Sequence, residues 1–272
     1  DVGFIMAHPR IIQGGMGVAI SDWTLAKAVS TQGGLGVVSC TGIAFILIAR
    51  LMEGDPAGHT RRALSQFPLP EPVQRILDTY YVPGGLANDQ SYKRPPMWTL
   101  NPPQALNELT VLASFVEVFL AKEGHDRPVG LNLLEKIQMP TMATLYGAML
   151  AGVDYVFMGA GIPTQVPGIL DKFAAHQSAS YRVDVSGADP DNPAWAGVVG
   201  TVLVWWAADG LVSATIPSVW RDTAAMAMTT TTTASFTSSH RPYDVPVKSP
   251  TEESCQTAFS VPDTASTTTL AT

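Results

Sequence analysis

Three glycines within four residues, Gly14, Gly15 and Gly17, leave the run Ile11-Ile12-Gln13-Gly14-Gly15-Met16-Gly17. Without Cβ atoms, their amides can be approached closely by a flat or anionic ligand. A bare glycine turn is the rival reading, because short glycine patterns are weak motifs. Asn132 is a second candidate, a polar side chain set between Leu131 and Leu133. It either contacts a ligand or caps a strand end. Glu135 and Lys136 follow it closely, and they serve either a site or a surface ion pair worth little. Ser39-Cys40 and Gly159-Ala160-Gly161 each end an apolar run. Cys40 reads as a small buried residue rather than a nucleophile. The basic cluster His59, Arg61 and Arg62 can grip a phosphate, but a solvated surface patch is the plainer account. No carboxylate-rich or His-rich pattern with metal spacing accompanies it, so no metal is assigned.

The elements that must carry these residues follow from periodicity. Ile11-Ile12 is too short a run to prove a strand. Ser21 offers a helix N-cap, Leu25 and Val29 share one helical face, and Gly33-Gly34 stop that helix. Leu35 to Ser39 then reads as a strand, which completes a βαβ unit and implies parallel pairing. A helix from Gly42 to Arg50 or Leu51 is too short to span a membrane. Glu53 to Pro103 is rich in prolines and reads as an insertion holding one short helix, Val73 to Tyr81. Beyond Pro103, apolar residues at helical spacing run from Leu106 to Leu120 and stop at Gly124. Strands follow at Val129 to Leu134 and Tyr155 to Met158, separated by a helix that begins at Pro140-Thr141 with Leu145, Met149 and Val153 on its core face. Tyr181, Val183 and Val185 alternate as a short strand without function. The βα pattern thus repeats about four times. A doubly wound sheet and a (β/α)8 barrel both fit it, but no G-x-G-x-x-G with a partner acid is present.

Composition narrows the classes. The 272 residues are 46% hydrophobic and 14% charged, with a net charge of −7, and the pI is near 5.1. A nucleic-acid binder would normally show a basic surface. Two cysteines, Cys40 and Cys255, cannot build a disulfide framework, so a cytoplasmic setting is the default. The chain opens on Asp1 without a basic-then-apolar leader, which reads as a fragment or trimmed sequence without a signal peptide. Residues 190–272 differ in character. Ala194 to Ala208 is an apolar run with three tryptophans that is broken by Asp209, which weakens it as a membrane helix. Thr229 to Thr233 and Thr267 to Thr269 sit among Ser, Thr and Pro, the signature of a disordered, low-complexity tail.

Gln13-Gly14-Gly15-Met16-Gly17 with Gly33-Gly34-Leu35-Gly36-Val37-Val38-Ser39 resembles the opening of the nitronate monooxygenases, formerly 2-nitropropane dioxygenases. Asn132 within Pro128 to Leu133, Glu135-Lys136-Ile137-Gln138, Leu145 to Val156 and Met158 to Pro163 are similar to the same family. The resemblance runs from about Ile11 to about Val185. It implies an α/β chain that is part of a (β/α)8 TIM-type barrel over residues 1–189, interrupted by the insertion at about 53–103. It implies non-covalent FMN, a small-molecule substrate and oxidation of alkyl nitronates by O2; related flavin barrels instead reduce enoyl thioesters. Gln13, Gly14, Gly15, Met16 and Gly17 would lie against the flavin ring, with Ser39 nearby and Asn132 on its polar edge. Glu135, Lys136, Gly159 and Gly161 would face substrate. Barrel sites gather where strands end, so these residues should share one face, and His125, which precedes its strand, falls on the other. No residue matches the family's catalytic histidine, so the catalytic group is left unassigned. A full barrel needs roughly 250 residues, so a rival reading is a non-catalytic half-barrel that either pairs with another chain, for instance as a homodimer, to cover its edges or is not stably folded. A phosphate-binding lyase or isomerase barrel is a third.

Overall fold

The computed structural model describes residues 9–87 and 89–183 and the backbone of 198–202. Helix α1 (Trp23–Thr31) begins at Asp22, whose carboxylate accepts from Thr24 N at 3.0 Å and Leu25 N at 3.1 Å. Ser21, the expected cap, is turned back and donates its hydroxyl to Met16 O at 2.8 Å. The buried face of α1 is Ala26 and Ser30, whereas Leu25 is 41% exposed, so the expected Leu25/Val29 face is not the one that packs. The reason is close approach: a Cβ on Gly36 would overlap Ala26 O and come within 2.7 Å of Ser30 Oγ. Only small residues fit there, and the apolar period is overridden. Ser30 fixes the contact by donating to Pro128 O at 2.7 Å and accepting from Gly36 N at 3.0 Å. Asp22→Ala is expected to lower stability by about 1 kcal/mol through loss of the cap, read as a shifted urea midpoint with unchanged slope.

Strand β1 (Gly36–Ser39) is preceded by a single parallel bridge between Ile12 and Leu35 rather than a full strand. Helix α2 (Ile43–Met52) follows. The expected insertion carries two helices, α3 (His59–Leu64) and α4 (Pro70–Tyr80), where one was anticipated. The basic cluster on α3 is consumed internally. Arg62 binds both carboxylate oxygens of Glu123 at 2.9 and 2.8 Å, and Arg61 pairs with Asp55 at 3.2 Å.

Helix α5 (Gln104–Lys122) is the centre of the packing and touches α1, α2, α3, α4, α6, β1 and β2. Among the described residues it is the one helix long and apolar enough to cross a membrane, yet most of it is buried inside the protein. Its two buried carboxylates are paired, Glu108 with Arg75 at 2.7 Å and Glu117 with Arg50. Helix α6 (Thr141–Leu150) lies close against it, with Ser114 Oγ donating to Thr144 O at 2.8 Å. Strands β2 (Val129–Leu134) and β3 (Tyr155–Gly159), helix α7 (Val166–Ala174) and strand β4 (Ala179–Val183) complete the order.

The sheet order is β1-β2-β3, all parallel, so spatial order follows chain order. Side chains alternate between its faces. Val38, Cys40, Val129, Leu131 and Leu133 enter the core with the helices, and Val156 and Met158 pack against it. The register sets Val37, Ser39, Gly130, Asn132, Tyr155 and Phe157 on the other face, outside that core. Strand β4 does not extend this sheet. It pairs antiparallel with β5 (Val198–Val202), which falls inside the stretch read as tail. Val185, the tryptophan-rich run apart from β5, and the threonine tracts lie outside the described residues.

Candidate functional site at the strand ends

The glycine run is pinned to the exposed side of the sheet by β1 and β2. Gln13 N donates to Leu35 O at 2.9 Å, and Gln13 Oε1 accepts from Val37 N at 3.1 Å. Asn132 Nδ2 donates to Gly14 O at 2.9 Å. Between them Gly15 has a φ of +64° and sits so close to the sheet that a Cβ would lie 2.9 Å from Val37 Cβ and 3.0 Å from Asn132 Cβ. Gly14 faces open space, with no atom within 4 Å of a Cβ placed there. The run is therefore a ledge whose underside is locked and whose upper side is free. Met16 projects from it, 56% exposed. Gln13 Nε2 is buried without a hydrogen-bond partner, an unusual state for a buried amide. The bond to Gly14 assigns the Asn132 amide, with its nitrogen on the ledge.

Ser39 pairs in register with Asn132, is 5% exposed, and its amide donates to Ser21 O at 2.8 Å. It supports the ledge from within. Cys40 is 2% exposed, and burial, reinforced by the charge of Glu117, pushes its thiol far above the ordinary range. It is no nucleophile. Behind the ledge, Glu117 accepts from Trp23 N at 2.9 Å and pairs with Arg50, which also reaches Asp22 at 3.5 Å. This triad, in which Glu117 is buried and Arg50 and Asp22 are half-buried, holds the start of α1 that the glycine run feeds. Burial raises the Glu117 carboxyl above its usual range, against the opposing pull of Arg50 and the Trp23 amide.

On the far side of β2, Glu135 N donates to Gly159 O at 2.8 Å, which ties the ends of β2 and β3 together. The Glu135 carboxylate lies against Gly161, where a Cβ would sit 2.7 Å from Glu135 Cδ. Lys136 is exposed, and among the described residues neither it nor Glu135 enters an ion pair. Glu135 instead lines a cleft of about 320 Å³ with Ile162, Thr164, Gln165, Tyr181 and Arg182. The sequence offered no signal for this cleft, because β4 and the approach to α7 reach Glu135 only through tertiary packing.

The candidates thus fall into two groups that flank the end of β2: Gln13 to Gly17 with Ser39 and Asn132, and Glu135 with Gly159 and Gly161. His125 lies elsewhere, where its Nε2 bonds Ala121 O at 2.7 Å and its Nδ1 accepts from Arg127 N at 3.1 Å. It closes the end of α5 and precedes β2. Comparison with family models, curated proteins and solved structures returned no match.

Proposed function

We propose that this chain is an FMN-dependent oxidoreductase of the nitronate monooxygenase type, built on an arc of a (β/α)8 barrel, that oxidises alkyl nitronates with O2. The observation that carries the reading is the ledge: an open, exposed glycine run at the strand ends, locked beneath by Gln13, Gly15 and Asn132. The barrel part is supported by strand order that follows chain order and by a core on one face of the sheet. Doubly wound sheets carry helices on both faces and reverse their strand order.

The residues fit the ring of a flavin. At Gly14 the ledge leaves room for a planar group to approach the backbone, and Met16 supplies apolar contact at its rim. Asn132 holds the ledge with its nitrogen and keeps its oxygen for a donor on the ring edge. The unpartnered Gln13 Nε2 beneath the ledge is a further donor that a small shift would bring into use. FMN held there would supply the redox chemistry for nitronate oxidation.

Asn132→Leu removes the ledge anchor and the acceptor together. FMN affinity is expected to fall by about 1–3 kcal/mol, roughly 5- to 150-fold. The activity test is O2 uptake by FMN-loaded protein on adding propyl-2-nitronate. Uptake proportional to nitronate supports the proposal, and uptake no faster than with free FMN refutes it.

A second reading is favoured by the exposed apolar residues beside the ledge, Ile11, Val18 and Ile20, at 72%, 49% and 73% exposure. On this reading two copies pair through the uncovered side of the sheet. Sedimentation over about two decades of concentration should then show a monomer–dimer shift, and a monomer throughout would exclude it.

A further inference from the structure

We infer that the cleft beside β4 binds a zwitterion of free-amino-acid size, with its ammonium on Glu135 and its carboxylate on Arg182. The cleft, of about 320 Å³, lies at the small end of the range for ligand sites. It opens beside the ends of β2 and β3, where ligands of parallel sheets collect. Its walls carry opposite charges, Glu135 from the β2–α6 loop and Arg182 from β4.

The Glu135 wall and the backbone of Arg182 are held in place. The backbone of Glu135 is fixed to Gly159, and its carboxylate occupies space that exists because residue 161 lacks a Cβ. Among the described residues its one bond is a long contact from Gln138 Nε2 at 3.5 Å. A carboxylate in a concave, partly dry setting gains most from a charged donor. Gln165 bonds the backbone of Arg182 on both sides, donating to its carbonyl at 3.0 Å and accepting from its amide at 2.9 Å. The guanidinium offers five donors, so it can take a ligand carboxylate in addition to its existing interactions.

The charge pattern excludes simpler ligands. A metal ion needs more ligands than one carboxylate, and no group of three or more metal-binding side chains occurs among the described residues. A bare amine meets the guanidinium, and a bare anion meets Glu135. A dipolar molecule satisfies both walls. This inference is independent of the flavin reading.

The test is calorimetric titration of the full chain with L-alanine, with ethylamine and propionate as single-charge controls. L-alanine is expected to bind at least about ten-fold more tightly than either control. Glu135→Gln and Gly161→Ala should each weaken it by about ten-fold or more, the second by displacing the Glu135 carboxylate. Gly161 has no positive φ, so alanine there leaves the backbone unstrained, and circular dichroism checks the fold of both variants. Absence of saturable binding overturns the inference. So does equal affinity for ethylamine or propionate, or binding that survives whichever of the two variants folds.

Discussion

Gly15→Ala is expected to destabilise the protein by about 2–5 kcal/mol and to abolish FMN binding. Two independent terms add. A φ of +64° is disfavoured for any residue with a Cβ, by about 1–2 kcal/mol. The added methyl must also displace Val37 and Asn132, and overpacking of a close-fitted site costs about 1–3 kcal/mol. Gly14→Ala is the control, because its Cβ would meet nothing within 4 Å and its φ is not positive. Stability should then change by no more than about 0.5 kcal/mol. Urea unfolding of the two variants separates a ledge that depends on its locked underside from a loop tolerant of any small residue. Equal effects at both positions would mean that the ledge is not held as described.

Arg50→Met is expected to cost about 3–5 kcal/mol, because it strands a buried carboxylate. Glu117 is 3% exposed and loses its cation, while its remaining donor is the Trp23 amide at 2.9 Å. The double variant Arg50→Met with Glu117→Met should recover most of the loss, since an apolar pair replaces a buried ion pair at little cost. The pH dependence has a definite sign. Burial raises the folded-state pKa of Glu117 above its unfolded value, so the folded form binds the proton more tightly. The contribution is fully present below the unfolded carboxyl range and is lost as pH rises through the folded pKa. Arg50→Met removes the cation that opposes the shift, so its penalty should grow from pH 5 to pH 8, and the growth should vanish in Glu117→Gln. A penalty independent of pH would place the cost in packing instead.

Long, strongly periodic segments were legible in the sequence. Helix α5 and strands β2 and β3 stand within a residue or two of where their apolar spacing put them, because each is a largely apolar segment bounded by Gly, Pro or charged residues. Where tertiary contact overrides local pattern, the reading failed. The packed face of α1 is Ala26 and Ser30, chosen for smallness against Gly36 rather than for hydropathy. Ser21 and Asp22 are both good caps, and only the turn back to Met16 decides between them. Helix α3 spans six residues after Gly58 in a left-handed conformation, too short for a period to show. The ledge was visible as glycines plus Asn132, but the bond joining Asn132 to Gly14 crosses 118 positions. The cleft was invisible for the same reason: Tyr181 read as bare strand, yet it lines that wall.

The most direct test is the visible absorption spectrum of the protein after incubation with FMN and removal of free flavin by gel filtration. Retained flavin in near-stoichiometric amount in the native protein, absent from Gly15→Ala and reduced in Asn132→Leu, is the expected result. A colourless native protein, or flavin retained equally by all three, would contradict a flavin site on the Gln13 to Gly17 ledge.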